Sequence, residues 1–155
     1  MFTHDQEDAV RNGTADLALL CLHSNDLTGL EITEVAEEYP VALVTRDHRL
    51  ARRAMVTTAE LRQEPAYQEL CPPMGLDEIL DRVALGRLVT VVGSGAADRL
   101  TREVMAVPVA DLPPTTLALG WLPAASRPEI VSFARSLQRI AADRAGTPRL
   151  RTVAP

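Results

Sequence analysis

The chain alternates between short apolar runs and amphipathic segments, an order that predicts an α/β fold. Residues 16–22 and 41–45 are nearly continuous apolar runs, which are typical of strands covered on both faces. Residues 30–35 alternate between apolar and polar positions, as expected for a strand with one face toward solvent. Further strands are predicted at residues 88–92, 104–109 and 115–122.

Three helical segments are predicted in the middle of the chain, the last of them a short helix that follows the Gly93-Ser94-Gly95 loop. Thr57 and Glu60 have the spacing of a capping box, so they predict a short helix that extends to Arg62. A second helix carries an apolar stripe at positions i, i+3, i+4 and i+7, and it ends at Gly86. The residues of this stripe are Leu76, Ile79, Leu80 and Val83.

The last helix is predicted by the signals at its start. Ser126 and Glu129 have the capping-box spacing, and Pro128 lies in the first turn, where its missing N–H is harmless. An apolar stripe then continues as far as Ala141. The tail, residues 146–155, contains two prolines and no periodicity, so we expect it to be disordered.

Length and composition describe an ordinary globular chain without a surface for nucleic acid. At 155 residues the chain can form one domain or two small lobes around a hydrophobic core. The net charge of −5 and the sequence pI of about 5.2 argue against DNA binding, which usually requires a basic face. All 16 basic residues are arginine, which indicates a GC-rich bacterial coding sequence.

The sequence contains no pattern for a cofactor, a metal or a membrane span. Cys21 and Cys71 form no Cys-x-x-Cys pair, and no cysteine or histidine has the spacing of metal ligands. Residues 1–10 lack the basic and apolar regions of a signal peptide. No apolar run approaches the roughly 20 residues that cross a bilayer. We therefore expect a cytoplasmic protein that uses no cofactor and contacts no membrane.

Five motifs occur in a characteristic order along the chain. They are Gly13-x-x-Asp16-Leu17-Ala18, Gly29-Leu30, His48-x-Leu50-Ala51, the unit from Ala84 to Val92, and Pro113-Pro114-Thr115 with the strand to Trp121. Over residues 10–143 this order resembles the effector-binding domain of LysR-type transcriptional regulators. The resemblance implies a two-lobed, type II periplasmic-binding-protein-like α/β fold that binds a small molecule between its lobes.

The resemblance also implies how the chain is divided. Residues 1–44 and 116–145 would form lobe I, residues 45–115 would form lobe II, and the hinge strands would be residues 41–45 and 117–121. Compared with the family, the chain would lack the helix-turn-helix that binds DNA, and the first strand and helix of lobe I would be missing. We therefore expect no direct DNA binding, and an exposed sheet edge that is available to a partner.

The expected ligand site lies where the strands end. Ligands of open α/β sheets collect outside the carboxyl ends of the strands, where helix N-termini favour anions. This reasoning and the resemblance together select six candidate ligand-binding residues: His23, Ser24, Thr45, Gly75, Gly93 and Ser94. Simpler roles stay open for two of them, because Ser94 could only cap a helix and His23 could be a solvated loop residue.

Other polar residues have structural explanations. His48 is expected to be a turn residue, and the arginines beside it are expected to face water. Glu37 and Glu38 are adjacent, so their side chains should point apart and into solvent. No Gly-x-Ser-x-Gly elbow accompanies Ser94, so no catalytic residue is predicted.

The sequence therefore predicts a domain that senses a small anionic or aromatic metabolite and performs no chemistry. It would act as a homodimer, or as a heterodimer with a full-length relative, and closure around the ligand would shift its population of conformations. Three other functions stay open. They are a stand-alone cytoplasmic small-molecule-binding module, a degenerate fragment, and a hydrolase that uses Ser94 and His23.

Overall fold

The computed structural model describes residues 3–22 and 25–145. The strands in them are β1 (Ala18–Cys21), β2 (Glu31–Glu38), β3 (Pro40–Thr45), β4 (Thr90–Gly93), β5 (Val104–Pro108) and β6 (Thr115–Trp121). The α-helices are α1 (Thr3–Arg11), α2 (Thr58–Leu61), α3 (Leu76–Ala84) and α4 (Pro128–Ala145). Helices and strands are mixed along the chain, which confirms the predicted α/β class. The predicted disordered tail, residues 146–155, lies outside the described residues.

The chain divides into two units. Unit 1 consists of Met1–Asp5 and Glu37–Thr115, and unit 2 consists of Gln6–Ala36 and Thr116–Pro155. The main segment of unit 1 thus begins inside β2, whereas the sequence predicts a boundary after residue 44. The predicted hinge strand at residues 41–45 falls within β3, which belongs wholly to unit 1.

The core of unit 1 is organised around β3. This strand is antiparallel to β4 on one side and to β5 on the other. Its apolar run, Val41 to Val44, is buried as predicted, and no residue in it is more than 7% exposed. Because side chains alternate across a strand, Leu43 belongs to one core cluster, and Ala42 and Val44 belong to another.

Helices cover both faces of this sheet. The predicted apolar stripe of α3 is confirmed, since its buried residues pack with Leu43. The buried members of this cluster are Leu43, Ile79, Leu80, Val83, Leu88 and Val104. On the opposite face, Leu50 of a 3₁₀ helix, Arg49–Arg52, and Leu61 of α2 join the second cluster. Helices on both faces of the sheet therefore pack against side chains of the single strand β3.

The capping box predicted at the start of α2 is confirmed. The N–H of Glu60 donates to Thr57 Oγ1 at 3.3 Å, and the N–H of Thr57 donates to Glu60 Oε2 at 2.9 Å. Asp111 adds a further cap, because its carboxylate accepts hydrogen bonds from both the N–H and the hydroxyl of Thr58. These hydrogen bonds from Thr58 lower the pKa of Asp111 below its ordinary value of 3.8.

Unit 2 contains a second three-stranded sheet, in the order β1, β6, β2. The helix α4 packs on it through Ile130 and Ala134, which are buried with Leu119 and Trp121. The indole N–H of Trp121 donates to Glu31 Oε2 at 2.7 Å, so the polar end of this buried side chain is satisfied.

Two predictions for unit 2 are wrong. The apolar run at residues 16–22 is not covered on both faces, because β1 is an edge strand on which Leu19 is 39% exposed. The last helix does not begin with a capping box at Ser126, because the carbonyl of Arg127 accepts its first helical hydrogen bond. Ser126 instead follows a short 3₁₀ helix, Pro123–Ala125, and ends it.

Asp111→Asn is expected to lower the urea midpoint at about pH 6 and to have less effect in acid. A carboxylate whose pKa is lowered by folding stabilises the folded state above its unfolded pKa, and this contribution is lost as the pH falls through the lower folded value. The difference between the two proteins should therefore narrow below about pH 3.8. Urea unfolding, monitored by far-UV circular dichroism, measures the difference in urea midpoint between the two proteins. A difference that stays constant down to about pH 3 would contradict a role for the charge.

Candidate functional site

In unit 1, the turn that follows β4 forms hydrogen bonds with the last residue of β2 and with the residue after it. Because β3 and β4 are antiparallel, Gly93 lies opposite the first residue of β3, and the turn lies beside the residues that precede it. The N–H of Gly95 donates to Glu38 Oε1 at 3.1 Å, and the N–H of Tyr39 donates to Ser94 Oγ at 3.1 Å. The candidate residues Gly93 and Ser94 are therefore engaged by the chain itself.

The carboxylate of Glu38 lies against both glycines of the Gly93–Gly95 turn. A β-carbon at Gly93 would overlap Oε2 of Glu38, and a β-carbon at Gly95 would overlap Oε1. Gly93 has an ordinary backbone conformation, with φ −70°, so a side chain there would meet no backbone strain and would only require the Glu38 carboxylate to move aside. Glu38 is half-buried, and its carboxylate accepts a hydrogen bond from the turn in a partly solvated setting.

A second polar group lies at the other end of β3. Nδ1 of His48 accepts the N–H of Leu50 at 3.2 Å and thereby caps the 3₁₀ helix, which confirms the predicted role of His48 in a turn. Nε2 of His48 lies 3.2 Å from Glu64 Oε2. These two side chains and Thr45 line a cavity of about 210 Å³.

The structure does not bring the described candidate residues together. Thr45 ends β3, while Gly93 lies opposite its first residue, so the two are about 16 Å apart at ~3.3 Å per residue. The prediction assumes that the carboxyl ends of strands meet, which is wrong for this antiparallel pair. Gly75 is the N-cap of α3 and does not line the cavity. His23 and Ser24 lie outside the described residues.

Sequence reasoning missed the two carboxylates at the centre of these groups. Glu64 lies in an irregular stretch, where no periodicity marks a buried side chain. For Glu38 a signal exists, because glycines on both sides of Ser94 indicate a turn that another group approaches closely. The identity of that group depends on the pairing of β3 with β4, which no local pattern specifies.

Ser94 and His48, which belong to these two groups, do not contact each other. The Oγ of Ser94 accepts a backbone N–H, and His48 lies at the opposite end of β3. Across residues 3–22 and 25–145, no three His, Cys, Asp or Glu side chains are close enough together to hold a metal ion. In the same residues, no helix combines the length and the apolar character needed to cross a membrane. The two groups offer hydrogen bonds and shape for a ligand.

Gly93→Ala is expected to destabilise the protein by about 0.5–1.5 kcal/mol, because the added methyl group displaces the carboxylate of Glu38 from its hydrogen bond with the N–H of Gly95. In a Glu38→Ala background the same substitution should cost under ~0.5 kcal/mol, since the obstacle is gone. Gly75→Ala is the matched control, because open space surrounds Gly75 and its effect should not depend on Glu38. Urea unfolding of the double-mutant cycle measures the coupling. Equal effects of Gly93→Ala in both backgrounds would contradict the contact.

Comparison with known proteins finds one family match and a set of solved structures with the same fold. Residues 1–69 match the family model of the LysR substrate binding domain. The matched segment contains β1, β2, β3 and α2, and it includes both Glu38 and Glu64. No curated protein sequence matches the chain.

Several solved structures share the fold. The regulatory domain of OxyR from Pseudomonas aeruginosa, in its reduced form, has a TM-score of 0.72 and 20% identity over 91% of this chain and 78% of that one. HinK, a LysR family transcriptional regulator from the same organism, has a TM-score of 0.68 and 21% identity over 88% and 56%. A mutant OxyR from Corynebacterium glutamicum has a TM-score of 0.71 and 19% identity over 94% and 54%.

These structural likenesses concern the fold, because the identities are only 19% to 21%. The chain spans 78% of the OxyR regulatory domain and just over half of the other two chains, at 56% and 54%. The family match over residues 1–69 and the shared fold agree with the resemblance inferred from the motifs. The described chain has the type II periplasmic-binding-protein-like fold of the OxyR regulatory domains.

Proposed function

We propose that this chain binds a small-molecule effector as the sensing part of a LysR-type regulatory system. The observation that carries the proposal is the match of residues 1–69 to the LysR substrate binding domain. The fold shared with the OxyR regulatory domain and with HinK supports it. An effector that prefers one conformation shifts the population toward that conformation, and this shift would be the signal.

The proposed ligand is a small anionic or aromatic metabolite that contacts Gly93 and Ser94. A backbone N–H of the Gly93–Gly95 turn already donates to the carboxylate of Glu38, so the turn has the donors that a carboxylate ligand requires. An anionic ligand could take the place of Glu38 there. The other candidate contacts, His23, Ser24, Thr45 and Gly75, rest on the resemblance alone. A small ligand at Gly93 and Ser94 would not reach Thr45, which lies at the opposite end of β3.

We also infer a protein partner, which is a second copy of the chain or a full-length LysR-type relative. The net charge of −5 supports a role in which the relative, and not this chain, contacts DNA. A cytoplasmic location belongs to the same proposal, because the sensing part must share a compartment with the relative that binds DNA. The alternative is a stand-alone binding module that acts without any partner.

A thermal-shift screen against organic acids and aromatic metabolites tests the ligand proposal. A compound that binds only the folded state stabilises it by about 2.7 kcal/mol at a hundredfold excess over its Kd. For a chain of this size we expect the Tm to rise by roughly 5–10 °C. Ser94→Ala should reduce this shift by at least about half, because it removes the hydroxyl of the turn.

Ser136→Ala is the matched control for that screen, because Ser136 is a half-buried serine of α4 outside the Gly93–Gly95 turn. It should leave the ligand-induced shift in Tm unchanged. If no acid or aromatic compound raised the Tm at millimolar concentration, the effector proposal would fail. If binding occurred but Ser94→Ala left it intact, the ligand would bind elsewhere.

The partner proposal is tested by light scattering after size-exclusion chromatography. The chain alone should elute with twice its mass of 16.8 kDa if it pairs with itself. If it pairs with a relative, a mixture with a full-length LysR-type protein should give a new species that contains both chains. A mass of 16.8 kDa alone and in the mixture would favour the stand-alone module.

A further inference from the structure

We propose that a second copy of this chain binds to the free edge of β1, so that two β1 strands pair antiparallel and join the sheets that contain them. The inference rests on the proposed protein partner, because it names the occupant and the surface. β1 pairs with β6 on one side, and no strand of the described chain pairs with its other side. Such an edge exposes N–H and C=O groups that can bind another strand.

The hydrogen bonds of β1 show which backbone groups face outward. In an antiparallel pair, residues that bond to the partner strand alternate with residues that face away from it. The N–H of Leu22 donates to the carbonyl of Thr116 in β6, so the even-numbered residues of this segment face β6. The N–H and C=O groups of Leu17 and Leu19 therefore face the free edge, and none of the described residues bonds to them.

The chain itself closes this edge at its carboxyl end. Cys21 is the next outward residue, and its N–H donates to Asn25 Oδ1 at 2.9 Å, while its C=O accepts the N–H of Asn25 at 3.1 Å. The open part of the edge thus consists of Leu17 and Leu19, and a longer strand from another protein would meet Asn25. A two-fold axis at Ala18 places Leu17 of each copy opposite Leu19 of the other, so every outward group gains a partner.

An exposed apolar strip lies along the same edge of unit 2. Leu17 lines a groove of about 590 Å³ together with Ile130 and Phe133 of α4, so this flank of α4 faces the β1 edge. Leu19 is 39% exposed and points to the same face as Leu17, because side chains alternate along a strand. Phe133 is 52% exposed, and so is Ile140, which lies seven residues later on the same flank of the helix. Adjacent exposed apolar side chains mark a contact surface, which single ones do not.

The charges at the rim of this groove suit an identical surface. Asp16, Arg127 and Glu129 line the rim, and Asp16 forms an ion pair with Arg127. Under a two-fold axis each copy presents the same surface to the other, so a rim of a single sign would repel its own copy. Because this rim carries both signs, it permits the approach of a second copy.

Light scattering over a concentration series of the full chain tests the surface. We expect the mass to rise from 16.8 kDa toward twice that value as the concentration increases. Leu19→Lys places a charge on the free edge and should raise the Kd of the dimer at least about tenfold. Phe133→Ser removes an apolar contact and should raise it at least roughly fivefold.

Ile32→Lys is the matched control for Leu19→Lys. Ile32 is 42% exposed on β2, which is the other edge strand of the same sheet. This substitution introduces the same charge at a similar exposure, so it should change the Kd of the dimer less than about twofold. Far-UV circular dichroism shows whether each variant is folded.

Amide exchange on the unchanged chain gives a measurement that does not depend on the folding of a variant. Raising the protein concentration about fiftyfold should slow the exchange of the Leu17 and Leu19 amides at least roughly tenfold, because each gains a hydrogen bond in the dimer. The amide of Leu20, which faces β6, should be protected already at the lower concentration.

The outcomes separate this inference from the proposed function. A mass of 16.8 kDa at every concentration, a dimer that persists in folded Leu19→Lys, or new protection confined to the amides of β2 would overturn it. A persisting dimer, or a new species formed only with a full-length relative, would still support a protein partner and would move the contact elsewhere. Effector binding is measured independently, because Ser94 belongs to unit 1 and β1 belongs to unit 2.

Discussion

The burial of β3 on both faces is the constraint on which unit 1 depends. Its apolar residues alternate between two core clusters, so α3 on one side and the short helices on the other are held by the same strand. The pairing of β3 with β4 also places the Gly93–Gly95 turn at one end of the strand and the cavity beside Thr45 at the other. A single buried strand therefore sets the separation of the two polar groups.

Local signals in the sequence predict local structure, but they do not predict which distant segments pair. The stripe of α3 and the capping box of α2 each depend on residues within two helical turns, so the pattern contains the whole interaction. The direction in which β3 pairs with β4 depends on residues far apart in the chain, and the sequence carries no local sign of it. For this reason Thr45 and Gly93 are predicted in one site, although they lie at opposite ends of a strand. The motifs predict the fold but do not predict the partners of Glu38 or Glu64.

Both polar groups of unit 1 contain a carboxylate supplied by the chain itself. The carboxylate of Glu38 accepts the N–H of Gly95 and lies where β-carbons at Gly93 and Gly95 would be. Glu64 is buried between Arg49 and His48, where its charge is already balanced. The turn thus offers an N–H donor to an anion, whereas Glu64 already has charged and polar partners within the chain. The two places differ in chemistry as well as in position.

Trp121 is the one tryptophan of the chain, and it lies in the core of unit 2 with its indole N–H on Glu31. Its emission spectrum therefore reports on that unit alone, whereas peptide-bond absorption averages over the whole molecule. If the halves melt at different temperatures, the two optical signals will diverge during heating. Trp121 is thus an intrinsic fluorophore that reports the unfolding of unit 2 separately from that of unit 1.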